Sequence, residues 1–246
     1  LLQRGQPLGE RIVNWPDPTS GFGPLGDGKH ASVRDRPATE RELCALVKQR
    51  VGEGLAIYPQ GGQTALELGG TPARPGAALD LTGLARVIDY PVADMTITVE
   101  AGITLTHLRA ILAEQGQRFP LDVASPDRAT LGGVYATNHA GPRRFGWGRP
   151  RDLIIGVGYV NAEGQPIKGG GRVVKNVAGY DLPKLLTGSM GTLGVITQMT
   201  LKVRPRPQSI ALALCPIETA QDASTVLEQL NLSGTRPVAI ELLNQA

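Results

Sequence analysis

The sequence predicts an α+β protein, with one large domain over residues 1–207 and the beginning of a second α+β domain over residues 208–246. Short apolar strands and amphipathic helices follow one another along the first domain. Glycine is abundant, at 32 of 246 residues against roughly 7% in an average protein, and it clusters just after predicted strands. The stiff, polar run Arg204-Pro205-Arg206-Pro207 predicts the boundary between the two domains.

The first quarter of the chain predicts an extended arm, a helix and a strand. Residues 1–37 have little periodicity, so we expect an arm with short strands. Thr39 and Glu42 have the spacing of a capping box, and the apolar face that follows predicts a helix ending near Gly52. The apolar segment Leu55-Ala56-Ile57 then reads as a strand.

The later elements follow from alternation, length and stop signals. Gly116 follows an apolar helical face and is a typical helix stop. Residues 161–165 have the composition of a hairpin turn. Residues 208–246 are too few to bury a core of their own. Strands are predicted over residues 78–81, 87–89, 96–99, 153–160, 193–203, 210–214 and 238–243, and helices over residues 104–115 and 219–230.

Composition excludes several classes of function. The net charge is only +3 and aromatic residues make up 4%, so we expect no nucleic-acid partner, although Arg143, Arg144, Arg149 and Arg151 lie close together. Two distant cysteines form no CxxC pair, which argues against an iron–sulfur or cysteine zinc site and fits a reducing cytoplasm. No apolar run is long enough to predict a transmembrane segment.

The run Tyr58-Pro59-Gln60-Gly61-Gly62-Gln63-Thr64 is the most informative motif. It follows a predicted strand, and adjacent glycines let successive backbone amides turn inward as a concave nest of donors. A phosphate or pyrophosphate is the typical guest of such a nest. A tight turn at a strand end needs the same residues, so both interpretations stay open for this run alone.

Three further runs accompany the first. They are Val99-Glu100-Ala101-Gly102, then Phe119-Pro120-Leu121-Asp122 leading to residues 129–138, and residues 188–197. In order and spacing the set resembles the flavin domain of the vanillyl-alcohol oxidase / p-cresol methylhydroxylase superfamily over about residues 30 to 207. The run Lys175-Asn176-Val177-Ala178-Gly179-Tyr180-Asp181 resembles the branch that holds D-lactate dehydrogenases and the two flavin subunits of glycolate oxidase, most of all the smaller of those two.

This resemblance implies two α/β subdomains, about residues 30–92 and 93–207, followed by an incomplete cap domain. It also implies bound FAD. Loop amides would hold the pyrophosphate, the Gly132-Gly133 pair would approach the flavin or ribityl chain, and the closing strand would meet the adenine. A tight turn at Gly132-Gly133 and a core role for Val195 stay open as alternatives. The implied cofactor-binding residues are Pro59, Gln60, Gly61, Gly62, Gln63, Thr64, Pro120, Asp122, Gly132, Gly133, Ala136, Thr137, Asn138, Val195 and Ile196.

The attachment of the cofactor follows from one position. One branch of the superfamily tethers FAD through a histidine in the first loop, and Gln63 stands in that slot. A neutral amide cannot form this bond, so we expect non-covalent FAD. The lack of cysteine motifs separately predicts no metal site. No catalytic residue is assigned: His139 is a better candidate base than His107, but a structural hydrogen bond explains it equally well.

The resemblance implies an FAD-binding subunit of a multi-subunit glycolate or 2-hydroxy-acid oxidase. Because no metal centre can be built from this sequence, electrons would leave through partners, a second flavin subunit and an iron–sulfur subunit. We expect a cytoplasmic protein, held at the inner membrane only through such partners. The alternatives are a self-sufficient dehydrogenase of another hydroxy acid or alcohol, and a non-catalytic assembly subunit.

Two other motifs are misleading. Residues 23–30 nearly match the consensus of a Walker A loop. However, His30 replaces the residue with the magnesium-binding hydroxyl, and no buried strand precedes the run. Gly156-Val157-Gly158 lies inside a predicted strand, where close packing explains the glycines better than a dinucleotide-binding turn.

Overall fold

The computed structural model describes residues 23–171 and 179–243. Its strands are β1 (Pro24–Gly26), β2 (Lys29–His30), β3 (Val33–Asp35), β4 (Ala56–Gln60), β5 (Gly76–Asp80), β6 (Val87–Asp89), β7 (Thr96–Glu100), β8 (Gln117–Arg118), β9 (Ile154–Val160), β10 (Pro166–Gly170), β11 (Val195–Lys202) and β12 (Arg204–Pro205). Its α-helices are α1 (Glu40–Gly52), α2 (Leu105–Glu114), α3 (Leu131–Thr137), α4 (Arg144–Trp147), α5 (Pro150–Leu153), α6 (Leu182–Leu186) and α7 (Ala220–Leu232).

A small parallel sheet forms the first half of the fold. Its strand order is β3-β5-β4, and β5 is paired on both sides. Helix α1 begins where the sequence predicts, because the Thr39 hydroxyl accepts a hydrogen bond from the Glu42 amide at 3.2 Å. The Glu42 carboxylate accepts from the amide of Ala38, at 2.8 Å, rather than from Thr39. The predicted cap is therefore confirmed, with its return bond one residue earlier than in a standard capping box.

A five-stranded antiparallel sheet forms the second half, in the order β10-β9-β11-β7-β6. The predicted strands 96–99, 153–160 and 193–203 are confirmed as β7, β9 and β11. The predicted turn at residues 161–165 is confirmed as well, since the Asn161 amide donates to the Gln165 carbonyl at 3.0 Å. Helix α2 packs its Leu105, Leu108 and Leu112 into the core that this sheet shares with α3.

Helix α1 joins the two sheets. Its Leu43 and Val47 are fully buried, and they pack with Leu79 of β5 and with Val160 and Val195 of the antiparallel sheet. Strand β6 pairs with β7, so the antiparallel sheet begins at residue 87. The carboxyl end of β4 consequently faces the beginning of β11 across a junction between the sheets, which is where a cavity opens.

Two strand predictions near the C-terminal end are wrong. Residues 210–214 and 238–243 contain no strand, whereas the predicted helix is confirmed as α7, capped by Thr219. Ile210, Leu212 and Leu214 are 77 to 84% exposed. Alternating apolar residues form a strand only when another strand satisfies their backbone groups, and within the described residues no strand pairs with them.

The two misleading motifs have structural explanations. Residues 23–30 contain the β1–β2 hairpin, with Asp27 and Gly28 at positive φ in its turn, so they do not form a phosphate loop. Gly158 lies in β9, where a Cβ atom would come within 2.7 Å of the Gln198 side chain. Residues 175–178 of the Lys175–Asp181 run and residues 1–22 of the arm lie outside the described residues. No helix among the residues described could span a bilayer.

Candidate functional site

A cavity of about 380 Å³ lies at the junction of the two sheets. It is bounded by the loop after β4, by α3, and by the loop that leads into β11. Most of the residues predicted to bind a cofactor come together in its wall. These are residues 59–64, Gly132, Gly133, Ala136, Thr137 and Ile196.

The loop after β4 presents a set of unpaired donors. Among the residues that the structure describes, none accepts a hydrogen bond from the backbone amides of Gly61, Gly62, Gln63 or Thr64. Gln63 has a left-handed backbone, with φ at 57°. Consecutive unpaired amides beside a left-handed residue have the character of an anion-binding nest. The loop therefore has the donors that a phosphate group requires.

The two loop glycines are required by contacts with the protein itself. A Cβ atom on Gly61 would lie 1.8 Å from the Thr130 hydroxyl oxygen, and one on Gly62 would lie 1.8 Å from the Arg128 carbonyl oxygen. One side of the loop is thus pressed against residues 128–130, while the loop also lines the cavity. Glycine is needed here for close packing of backbone on backbone as well as for any approach of a ligand.

Gly132 and Gly133 lie in the first turn of α3, so the alternative interpretation as a simple tight turn is wrong. Thr130 caps this helix, and the Gly132 amide donates to the carbonyl of Ala101 at 2.7 Å. A Cβ atom on Gly132 would lie 2.9 Å from that of Ala101. Only the Thr130 hydroxyl, at 3.4 Å, lies near a Cβ built on Gly133. Gly132 therefore serves helix packing, and Gly133 leaves space beside the cavity.

The loop before β11 closes the cavity against the end of α3. The Met190 amide donates to the Ala136 carbonyl at 2.8 Å. Gly191 and Gly194 both have positive φ, and both line the cavity. A Cβ atom on Gly194 would lie 2.6 Å from the ring of Tyr159. These glycines were within the sequence motif, but their contribution to the wall depends on a backbone geometry that the motif does not reveal.

Four of the predicted residues do not line the cavity: Pro120, Asp122, Asn138 and Val195. Val195 is buried in the core between the sheets, as the alternative interpretation had it. Asp122 lies 3.2 Å from Arg143 and 3.6 Å from Arg109. The negative charge of this carboxylate is therefore balanced by two guanidinium groups outside the cavity wall.

Asn138 ends α3 in a left-handed conformation, with φ at 53°. Its side-chain oxygen is buried, and it accepts no hydrogen bond from the rest of the described chain. A buried acceptor without a donor is costly, and no donor for this oxygen is found among the described residues.

Sequence reasoning missed the segment that covers one side of the cavity. We call residues 65–74 the strap, because most of them line the cavity as they cross it. The Tyr58 hydroxyl donates to the Arg74 carbonyl at 2.7 Å, and the Thr71 hydroxyl bonds to the Asp27 carboxylate. Burial raises the pKa of Tyr58, which keeps the phenol protonated as a donor. The signal in the sequence that could have revealed the strap was the run Gly69-Gly70-Thr71-Pro72, because it repeats the loop composition of the first motif.

The described wall of the cavity contains no charged side chain and no histidine. A dianionic guest would be held by neutral backbone donors, as in nests and at helix termini. Apolar residues such as Leu25, Ile57 and Leu81 provide the remaining wall. His139 is exposed and lies outside this wall. These features fit FAD, which combines a charged pyrophosphate with a large apolar ring.

Comparison with known proteins identifies the domain. A family model described as FAD binding domain matches residues 31–170. The chain belongs to this FAD-binding domain family. Its cavity lies between elements that this match covers and the loop before β11. Among solved structures, the chain is similar to alkyldihydroxyacetonephosphate synthase, with a TM-score of 0.61 and 27% identity over 72% of this chain and 32% of that one. This agreement confirms the predicted α+β fold.

Two curated relatives show how far the likeness extends. The chain is 35% identical over 209 residues to "D-lactate dehydrogenase [cytochrome], mitochondrial" of Arabidopsis thaliana, covering 85% of this chain and 36% of that protein. It is 34% identical over 193 residues to "Glycolate oxidase subunit GlcE" of Escherichia coli K12, covering 77% and 54%. The chain thus spans about half or less of these relatives. Because the two identities are comparable, the predicted likeness to the smaller glycolate oxidase flavin protein is shared with D-lactate dehydrogenases.

Proposed function

We propose that the chain binds FAD non-covalently in the cavity and provides the flavin site of an enzyme that oxidises a 2-hydroxy acid. The observation that carries this proposal is the row of backbone amides from Gly61 to Thr64, which have no acceptor among the described residues and lie in a described wall without charged side chains. Bound FAD would accept the hydride equivalent that leaves the hydroxyl-bearing carbon. The relatives support this substrate class, since one is named as a dehydrogenase of D-lactate and another as a subunit of glycolate oxidase.

The chain's own residues would bind and orient the cofactor. The loop amides would hold the pyrophosphate, and Gly133 would leave room for the ribityl chain or the flavin. Ile196 lines the cavity in the closing strand and would meet the adenine end. Gln63 offers a neutral amide where covalent attachment needs a histidine, so the cofactor would dissociate on denaturation.

We further propose that the enzyme is a multi-subunit glycolate oxidase. The described residues contain no group of three or more histidine, cysteine, aspartate or glutamate side chains that could hold a metal ion, and the sequence has only two cysteines. In this proposal electrons would leave through a second flavin subunit and an iron–sulfur subunit, and the likeness to two proteins named as subunits of glycolate oxidase supports it. In this proposal residues 30–92 and 93–207 are the two subdomains of the flavin site, and residues 208–246 begin a cap domain.

A visible absorption spectrum before and after acid precipitation tests the cofactor proposal. We expect a flavin spectrum in the purified protein, and all of the chromophore in the supernatant after precipitation. A protein that stays colourless after incubation with FAD would contradict the proposal and favour an assembly subunit. A flavin that remains in the precipitate would contradict non-covalent binding only.

A self-sufficient D-lactate dehydrogenase is the second candidate, because the Arabidopsis relative is matched at a comparable identity. Steady-state turnover with an artificial electron acceptor separates the two candidates. The multi-subunit proposal predicts slow turnover of glycolate and D-lactate by the full-length protein alone, and acceleration by the partner subunits. Fast turnover of D-lactate without partners would favour the second candidate.

A further inference from the structure

Two glutamine side chains tie the loop after β4 to the β1–β2 hairpin. Gln63 Nε2 donates to Gln60 Oε1 at 3.0 Å, and Gln60 Nε2 donates to the Pro24 carbonyl at 2.6 Å. We call Gln60 and Gln63 the glutamine relay. Gln60 is only 4% exposed, so each of its bonds replaces water that cannot reach the amide. A lost partner would leave a buried polar group unsatisfied.

The relay acts on the backbone that presents the unpaired amides. Gln63 has a φ of 57°, a region where few residues other than glycine, asparagine and aspartate are found. Such a conformation persists only when surrounding contacts hold it in place. The side-chain bond to Gln60 is the hydrogen bond that anchors Gln63 within the described structure. Arg128 also donates to the Gly62 carbonyl at 3.2 Å, so the relay acts together with the packing against residues 128–130 to hold the loop in the conformation in which its amides line the cavity.

The hairpin at the other end of the relay contacts the cavity as well. Leu25 lines the cavity, and a Cβ atom on Gly26 would lie 2.9 Å from the Leu66 carbonyl oxygen of the strap. The turn residue Asp27 bonds to Thr71, also in the strap. The hairpin thus bridges the two segments that enclose this side of the cavity, and the relay fixes the hairpin to one of them.

We propose that the glutamine relay is a latch for the cofactor, and that Gln60 and Gln63 are positioning residues. By docking the β1–β2 hairpin, the relay keeps the loop amides directed to the cavity and the strap in place. The role of the latch toward FAD rests on the proposed function. If loss of the relay leaves a tenth of the molecules in the competent loop conformation, the apparent Kd for FAD rises about tenfold.

Three variants separate the two bonds of the relay. Gln63→Asn keeps an amide and suits a positive φ, but its side chain is one methylene shorter and cannot reach Gln60. Gln60→Glu still accepts from Gln63, but it has no donor for the Pro24 carbonyl. Gln60→Ala removes both bonds. Gln49→Ala is the matched control, because Gln49 Nε2 also bonds to a side chain, Glu53, at 2.9 Å on an exposed part of α1.

Two readouts test the latch. In the protein without flavin, hydrogen exchange at the amide of Ala31, which bonds to the Gly23 carbonyl beside the hairpin, reports hairpin docking. We expect at least tenfold faster exchange in Gln60→Ala and Gln60→Glu. In a flavin fluorescence titration, we expect the FAD Kd to rise about tenfold in Gln60→Ala and Gln63→Asn, with Gln49→Ala unchanged in both measurements.

The outcomes distinguish the latch from the function on which it rests. Wild-type exchange and a wild-type FAD Kd in both Gln60→Ala and Gln63→Asn would overturn the latch. A wild-type Kd in Gln63→Asn, together with a raised Kd in Gln60→Ala, would show that FAD binding depends on the left-handed backbone of residue 63 and not on its side chain. That result would overturn the role of the Gln63 side chain. If the wild-type protein binds no FAD, the proposed function fails, while the exchange rates still decide whether the relay docks the hairpin.

Discussion

Replacing Gly62 by alanine tests the packing of the loop after β4. The added Cβ atom would lie 1.8 Å from the Arg128 carbonyl oxygen and 2.6 Å from its carbon. Real Cβ contacts of this kind do not fall below 3.0 Å, so the two segments must separate by at least about 1.2 Å (3.0 minus 1.8). The Arg128 backbone cannot give way easily, since the amides of Arg128 and Ala129 both donate to the Ser125 carbonyl.

Overpacking of this kind typically costs 1–3 kcal/mol, and we expect Gly62→Ala to lose about 3 kcal/mol of unfolding free energy because the clash is with backbone. For a chain of this size that corresponds to a fall in Tm of roughly 6–12 °C. Gly70→Ala is the matched control: Gly70 also lines the cavity, but nothing lies within 4 Å of its added Cβ. Urea denaturation of the flavin-free proteins measures the difference. Equal midpoints for the two variants would refute the packing argument.

Three further predictions address the fold. Burial alone would raise the pKa of Asp80, but hydrogen bonds from Thr82 and Arg34 outweigh it and lower that pKa. Ionised Asp80 therefore stabilises the fold at pH values above its unfolded pKa of about 3.9. This contribution is lost as the pH falls through the lower folded pKa. Urea midpoints should accordingly fall less steeply with acid in Asp80→Asn than in wild type, and parallel curves would contradict this. Thr39→Ala should cost about 1 kcal/mol through loss of the α1 cap, measured by urea denaturation against Thr39→Ser, which should retain most of it. Leu105→Ala removes a fully buried side chain and should cost about 2–5 kcal/mol; a change below 1 kcal/mol in the same assay would show that the α2 core is not close-packed.

Local sequence signals were sufficient where an element is stabilised by its own residues. Thr104 accepts from the His107 amide, and Gly116 takes a φ of 64° just after α2, so cap and stop signals located that helix. Strand β11 lies in the middle of its sheet, and its apolar alternation was long enough to read. Residues within or beside each of these elements were therefore enough to predict it.

Prediction failed where the structure depends on a distant partner. Residues 210–214 alternate like a strand, but a strand needs a neighbour that local pattern does not provide. Helix α3 contains two adjacent glycines, which disfavour a helix, yet backbone bonds to Ala101 and Ile103 hold its first turn in place. Tertiary contacts between segments far apart in the sequence decided both cases.

The same distinction between local sequence signals and distant contacts applies to the candidate site. The loop after β4 was recognised because strand, glycines and threonine are consecutive. The strap was missed because its approach to the cavity depends on bonds such as Tyr58 to Arg74, across 16 residues. Pro120 and Asp122 were assigned from resemblance, and they lie outside the cavity wall in this structure. Asn138 and Val195, which belong to the motif runs themselves, also lie outside the wall, so a motif does not place all of its residues in the cavity.

The measurement that tests the central claim most directly compares FAD with riboflavin, which has the same ring and ribityl chain but neither the pyrophosphate nor the adenosine. Both are titrated into the flavin-free protein while flavin fluorescence is followed. If neutral loop amides hold the pyrophosphate and the closing strand meets the adenine, FAD will saturate the protein and riboflavin will bind at least a hundredfold more weakly, since both sets of contacts are lost. Equal binding of the two flavins, or no binding of FAD, would contradict the account.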